Sequence, residues 1–135
     1  MVYYGCIAMH HVGVDIIEIY RIERVIELWG ERFLKRVYTD TEFKDCQGRA
    51  PSLAVRFAAK EAVMKLLGTG IKGVGWREIE VLSNRDGKPS VYLHGAAHKK
   101  ARSLGIGELA ISLSHSRKYA IASVVGSSSE DCINK

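Results

Sequence analysis

Four charged side chains stand inside a segment that is otherwise apolar nearly all round: Arg56, Lys60, Glu61 and Lys65, within Arg56-Phe-Ala-Ala-Lys-Glu-Ala-Val-Met-Lys65. An apolar helix of this kind is a buried one. At about 100° per residue, Glu61 and Lys65 share one face, and Arg56 and Lys60 form a second such pair on another side. Burying an unpaired charge is costly, so each group needs a partner. Two readings are open for Glu61 and Lys65: an ordinary Glu-to-Lys helical pair at the surface, or charges held in place for chemistry.

Asp15 is the second anomaly, a carboxylate that interrupts the apolar run Gly13-Val-Asp-Ile. At the end of a strand it is suited to cap the next helix. It is equally suited to bind a hard cation, since a magnesium site takes one or two carboxylates and leaves its other positions to water and substrate phosphates. Asp15 and Glu61 make such a pair if the fold brings them together. Ser112-Leu-Ser-His115-Ser-Arg-Lys118 is the third. There an apolar strand ends in hydroxyls, an imidazole and two cations, either a phosphate-contacting edge or a polar hairpin loop. Ser114 and His115 do not suit a nucleophilic pair, because strand neighbours point to opposite faces. Gly68-Thr-Gly70 offers backbone N–H groups to a phosphate, but its spacing matches no P-loop, and it serves equally as a helix stop. His10 and His11 are adjacent on a strand, which argues against shared coordination and for a structural role.

These groups are positioned by a readable set of elements. His10 to Ile16 alternates as a strand. From Ile17 the apolar residues Ile19, Ile22, Val25, Ile26 and Trp29 recur at helical steps, with Arg21, Glu23, Arg24 and Glu27 on the other face. Gly30 interrupts this helix, and Phe33, Leu34 and Val37 suggest a short continuation. Thr39-Asp-Thr-Glu42 is a capping box opening another short helix. Ser52 to Leu67 is the strongest helix, with Pro51 in its first turn and Gly68 at its end. Trp76 to Ser83 and Pro89 to Leu93 form a hairpin about Asn84-Arg-Asp-Gly87. A helix over Ala96 to Leu104 and strands over Leu109 to Leu113 and Tyr119 to Val125 complete the chain. Hairpins outnumber βαβ crossovers, so the expected fold class is α+β, with a mostly antiparallel sheet packed on helices. One domain is expected over residues 1–126, followed by a frayed polar tail over 127–135.

The bulk composition narrows the function class. Hydrophobic residues at 47% and charged residues at 26% are the balance of a globular domain, and no apolar run approaches the roughly 20 residues of a membrane span. Cys6, Cys46 and Cys132 are odd in number and scattered, without metal-ligand spacing. Free thiols in a reducing compartment, hence a cytoplasmic location, are expected. Twenty Lys and Arg against fifteen Asp and Glu leave a formal charge of +5, which suits an acidic protein, a phosphorylated cofactor or nucleic acid. The cations are spread over several elements without an aromatic-basic platform, so a nucleic-acid module is disfavoured.

Taken together and in order, these pieces resemble the holo-acyl-carrier-protein synthases, the small bacterial phosphopantetheinyl transferases. The stretches that carry the resemblance are Gly13-Val-Asp-Ile-Ile-Glu-Ile-Tyr-Arg-Ile22, Leu53 to Lys65 with Gly68-Thr-Gly70, Gly87-Lys-Pro89, and Ser112-Leu-Ser-His-Ser116 with Tyr119-Ala-Ile-Ala122. The chain departs in a longer segment before Asp15 and a shorter one between Glu42 and Leu53. The resemblance implies transfer of 4'-phosphopantetheine from coenzyme A to a serine of an acyl carrier protein, in fatty acid biosynthesis, with adenosine 3',5'-bisphosphate leaving. It implies magnesium held by Asp15 and Glu61, catalytic roles for Glu61, Lys65 and His115, and coenzyme contacts from Arg56, Lys65, Gly70, Ser114 and His115. It also implies docking of the acidic carrier on Arg21 and Arg24, and a homotrimer with active sites at subunit interfaces. A catalytically idle relative that only binds coenzyme A is disfavoured by intact Asp15, Glu61 and Lys65.

Overall fold

The computed structural model describes residues 8–129 of the 135-residue chain. Its centre is helix α4, Ala50–Leu67, and that position follows from its composition. Ala58, Ala59, Ala62 and Val63 are fully buried, so the helix is enclosed on nearly every side. Against it lies a three-stranded sheet of β1 (Ala8–Glu18), β4 (Leu109–His115) and β5 (Tyr119–Ser129), in the order β1-β5-β4. Both pairings are antiparallel, as the hairpin count predicts. A separate hairpin, β2 (Ile79–Ser83) with β3 (Pro89–Leu93), makes a second antiparallel sheet. Around them run α1 (Ile19–Trp29), α2 (Glu31–Val37), α3 (Asp40–Cys46), the single turn α5 (Gly70–Gly73) and α6 (Gly95–Ser103). Among the described residues no helix is long and apolar enough to cross a membrane.

Local chemistry explains where the boundaries differ from expectation. The first strand runs on to Glu18 because Glu18 still pairs with Tyr119, and the next amide, Ile19 N–H, donates to Lys118 O at 2.8 Å. Trp76 is not a strand residue. Residues Trp76–Glu78 form a 3-10 turn, held by the Glu78 carboxylate, which accepts from Gly75 N at 2.6 Å and from Ala96 N. The Trp76 ring instead stacks on Phe57 with centroids 4.8 Å apart. Thr39 and Glu42 form the expected capping box.

The C-terminal boundary is corrected as well. β5 continues through Ser127 and Ser128 to Ser129, past the expected domain end at 126. His10 hydrogen-bonds the Ser127 hydroxyl at 3.2 Å and His11 that of Ser128 at 2.9 Å, so both histidines serve the strand pairing. The rest of the expected tail, 130–135, lies outside the described residues, as do Cys6 and Cys132. Cys46 is a free, buried thiol, its pKa pushed up to about 11, mainly by that burial.

The two buried cations of α4 find their partners on α3. Lys60 and Glu42, both 0% exposed, pair at 2.8 Å. The Lys60 ammonium also donates to Trp76 O at 2.9 Å and to Ile79 O. Glu42 accepts from Thr39 N and Val81 N, both at 2.9 Å. Arg56 donates to Asp45 at 2.5 Å and to Val81 O at 3.1 Å. Every charge buried by α4 is thus paired and hydrogen-bonded, the condition under which burial is tolerated.

Candidate active site

The side-chain pattern of β1 decides what faces α4. Gly13, Asp15 and Ile17 lie opposite buried Val124, Ala122 and Ala120 of β5, so they share the face that packs on the helix. Val12, Val14 and Ile16 point away, as the alternation of a strand requires. Asp15 therefore sits in the strand body, aimed at α4. It does not cap α1, whose N-cap is Glu18, without a side-chain bond.

On α4, Glu61 is turned toward this same strand. The two carboxyl groups meet closely enough that one hydrogen-bonds the other when a proton is shared. Burial first, and then the Asp15 charge, raise the Glu61 pKa from 4.5 to about 7, with Lys65 and Arg21 acting in the opposite direction. Lys65 does not form the surface pair with Glu61. Its ammonium reaches across to Asp15 Oδ1 and to Val14 O, each at 3.0 Å, while the side chain stays largely exposed. Asp15, Glu61, Arg21, Val25, Phe33 and Phe57 line a groove of about 210 Å³. Phe57 stands one helical turn before Glu61, so that the acidic pair has an aromatic wall. Sequence reasoning did not assign Phe33 or Phe57; the i,i+4 spacing of Phe57 and Glu61 was the available signal.

The donor set suits a hard divalent cation. Burial first, and the Asp15 charge second, favour a proton on Glu61 near neutral pH; a metal ion in the proton's place offsets the same two costs. Among the described residues no group of three His, Cys, Asp or Glu side chains forms a metal cage. A site of two carboxylates with room for water and phosphate is the arrangement that magnesium favours.

The remaining expected residues are distributed as follows. Arg21 lines the groove, whereas Arg24, on the exposed face of α1, pairs with Glu27 at 3.2 Å. Arg56, expected at the coenzyme, turns inward: Asp45, Val81 O, Ser52 O and Ser83 occupy its guanidinium. Gly70 opens the turn α5 with φ +59°, next to Thr69, whose buried hydroxyl has no hydrogen-bond partner. His115 ends β4 opposite Ala120, and Asp15 lies opposite Ala122 across the same central strand. Two strand spacings and a two-residue offset separate their backbones by about 12 Å, so the chain alone does not bring His115 to the acidic pair. Ser114 and His115 lie on opposite faces of the sheet. Ser114 lies level with Ile121 and Ile16 on the open face.

Comparison with known proteins bears on the family and the fold. Residues 11–124 match the 4'-phosphopantetheinyl transferase superfamily. The holo-[acyl-carrier-protein] synthase of Herpetosiphon aurantiacus is 52% identical over 121 residues, covering 84% of this chain and 95% of that protein. That of Dehalococcoides mccartyi strain CBDB1 is 54% identical over 117 residues, covering 87% and 98%. Among solved structures, Helicobacter pylori holo-[acyl-carrier-protein] synthase in complex with coenzyme A superposes with a TM-score of 0.78 at 33% identity, covering 85% of this chain and 98% of that one. The Neisseria meningitidis holo-[acyl-carrier-protein] synthase gives 0.79 at 35% identity, covering 86% and 96%. With its acidic pair, lysine and groove placed on this α+β frame, the chain belongs to the holo-acyl-carrier-protein synthases of the 4'-phosphopantetheinyl transferase superfamily.

Proposed function

We propose that this enzyme transfers 4'-phosphopantetheine from coenzyme A to a serine of an apo acyl carrier protein, with magnesium held by Asp15 and Glu61, in support of fatty acid biosynthesis. The observation that carries the magnesium assignment is the meeting of those two carboxyl groups across β1 and α4. The coenzyme A complex of the Helicobacter pylori relative supports the donor.

The serine hydroxyl of the carrier attacks the β-phosphate of coenzyme A, and adenosine 3',5'-bisphosphate departs. Asp15 and Glu61 would hold the magnesium ion, which would supply positive charge to offset the charge that builds on the departing pyrophosphate oxygens. Lys65, long and largely exposed, exchanges Asp15 for the reacting phosphate and adds a fixed positive charge there. Glu61, which lines the groove with Asp15, takes the serine proton itself or orients a water that does. Arg21 at the rim draws in an acidic carrier, and such steering weakens as salt rises. Gly70 adds a coenzyme contact within the chain, and Ser114, on the open face of the sheet, reaches coenzyme only across a subunit boundary.

We also propose that the working unit is a homotrimer in which His115 serves the Asp15 and Glu61 of a neighbour. Support comes from the open face of the three-stranded sheet, where Val12, Val14 and Ile16 are 62%, 50% and 60% exposed beside Ile121 and Val125 at 39% each. An apolar patch of this kind is the mark of a contact surface. The roughly 12 Å between His115 and Asp15 within one chain is the second reason. The reaction is tested by mass spectrometry of apo carrier incubated with coenzyme A, magnesium and the enzyme. Gain of the phosphopantetheine mass is expected, and an unmodified carrier refutes the proposal.

A further inference from the structure

We propose that Gly13 is a positioning residue for the transfer reaction: without a side chain it lets the backbone of β1 rest directly on that of α4, and this contact sets the separation of Asp15, Glu61 and Lys65. The inference rests on the assignment of those three groups to the reaction.

A Cβ added at Gly13 would lie 1.9 Å from Ala62 O, 2.9 Å from Ala62 C and 3.1 Å from Leu66 N. All three are backbone atoms of a buried helix, so none can rotate away. Among the described glycines, Gly13 is the one whose added Cβ would meet backbone closer than 3.0 Å; at Gly73, Gly95 and Gly126 the close neighbours are side chains. The distance puts the Gly13 Cα within about 3.4 Å of Ala62 O, the range of a Cα–H···O contact between packed elements.

The contact is bracketed by the reactive groups. Ala62 directly follows Glu61, and Leu66 directly follows Lys65. Asp15 lies two residues beyond Gly13, on the same face of β1. Glu61 and Lys65 are therefore carried by the helix turn that Gly13 touches, and Asp15 by the strand position beside it. Any side chain at 13 drives strand and helix apart by at least about 1 Å, a displacement that costs on the order of 100-fold in a positioned reaction. The Lys65 to Asp15 contact at 3.0 Å would open by the same movement.

The test compares full-length wild type, Gly13→Ala and, as a control, Gly107→Ala, where an added Cβ meets nothing within 4 Å. Binding of Mn2+ to the protein alone, read by electron paramagnetic resonance, is measured with thermal unfolding, kcat, and KM for the carrier. Gly13→Ala should bind Mn2+ at least about tenfold more weakly and lose about 100-fold in kcat, with KM for the carrier little changed, because Arg21 is untouched. Gly107→Ala should match wild type throughout. A folded Gly13→Ala enzyme with Mn2+ affinity and kcat near wild type overturns the inference. Should Gly13→Ala fail to fold, Asp15→Glu moves the carboxyl by one methylene on an undisplaced strand. It should lose a similar factor in kcat, and near-wild-type turnover would show that the spacing is not critical and overturn the inference in the same way. A wild-type chain that transfers nothing overturns the reaction and this inference with it. An active wild type beside an unimpaired Gly13→Ala overturns this inference alone.

Discussion

Replacing Glu61 by Gln should stabilise the metal-free protein at pH 8 while destroying its activity. In the folded chain the Glu61 carboxyl is raised from 4.5 to about 7, by burial and by Asp15. The folded state therefore holds this proton more tightly than the unfolded state does. Below about pH 4.5 both states are protonated and the group leaves stability unchanged. Between 4.5 and 7 the unfolded chain loses the proton first, so stability falls as pH rises, and above 7 the loss is complete. At about 1.4 kcal/mol per pH unit the interval corresponds to roughly 3 kcal/mol. Solvent at this half-buried site screens it to about 1.5 kcal/mol, worth about 5 °C in melting temperature for a chain of this size. Gln mimics the protonated acid. Thermal unfolding in a chelator should give Glu61→Gln a higher Tm than wild type at pH 8 and an equal one near pH 4.5. Magnesium should reverse the order at pH 8 by binding only wild type; at about 100 times its Kd it adds close to 3 kcal/mol. A variant less stable than wild type at pH 8 by the same margin as at pH 4.5 would refute the repulsion between the two carboxyls.

Other expectations follow from the remaining charges. Arg21→Ala should raise KM for the carrier several-fold more than KM for coenzyme A and flatten the salt dependence of kcat/KM; equal effects on both substrates would remove the docking role. Lys60→Met leaves Glu42 as a buried uncompensated charge and should cost about 3–5 kcal/mol in denaturant unfolding, whereas a loss below 1 kcal/mol would mean that water reaches Glu42. Mixed trimers of the inactive Glu61→Ala and His115→Ala chains should regain part of the activity if active sites are shared, and verified mixed trimers without activity would count against sharing.

Much of the frame was legible because it is written in local periodicity. The alternation of Val12, Val14 and Ile16, the helical steps of α1, the capping box at Thr39 and the hairpin at Asn84-Arg-Asp-Gly87 each act over a few residues, and the structure contains each of them. The odd placement of Asp15 and Glu61 in apolar surroundings singled both out, and both line the same groove. What stayed hidden depends on distant contacts. Nothing near Lys60 or Arg56 in sequence identifies Glu42 and Asp45 as their partners, because the choice is made by how α3 crosses α4. The i,i+4 spacing suggested that Lys65 would pair with Glu61, yet a strand fifty residues away offered Asp15 and a carbonyl. Trp76 fitted a strand by alternation, but Glu78 closes a 3-10 turn there and the Trp76 ring stacks on Phe57. The packing role of Gly13 was hidden too, since its close approach to Ala62 exists only once β1 and α4 are packed.

The most direct test is a crystal structure with Mn2+ in place of magnesium and coenzyme A bound, read by anomalous scattering. A single manganese peak within about 2.5 Å of both an Asp15 and a Glu61 carboxylate oxygen is expected, with a phosphate oxygen on the same ion. Manganese bound elsewhere, or transfer-competent crystals with none between the two carboxylates, would contradict it.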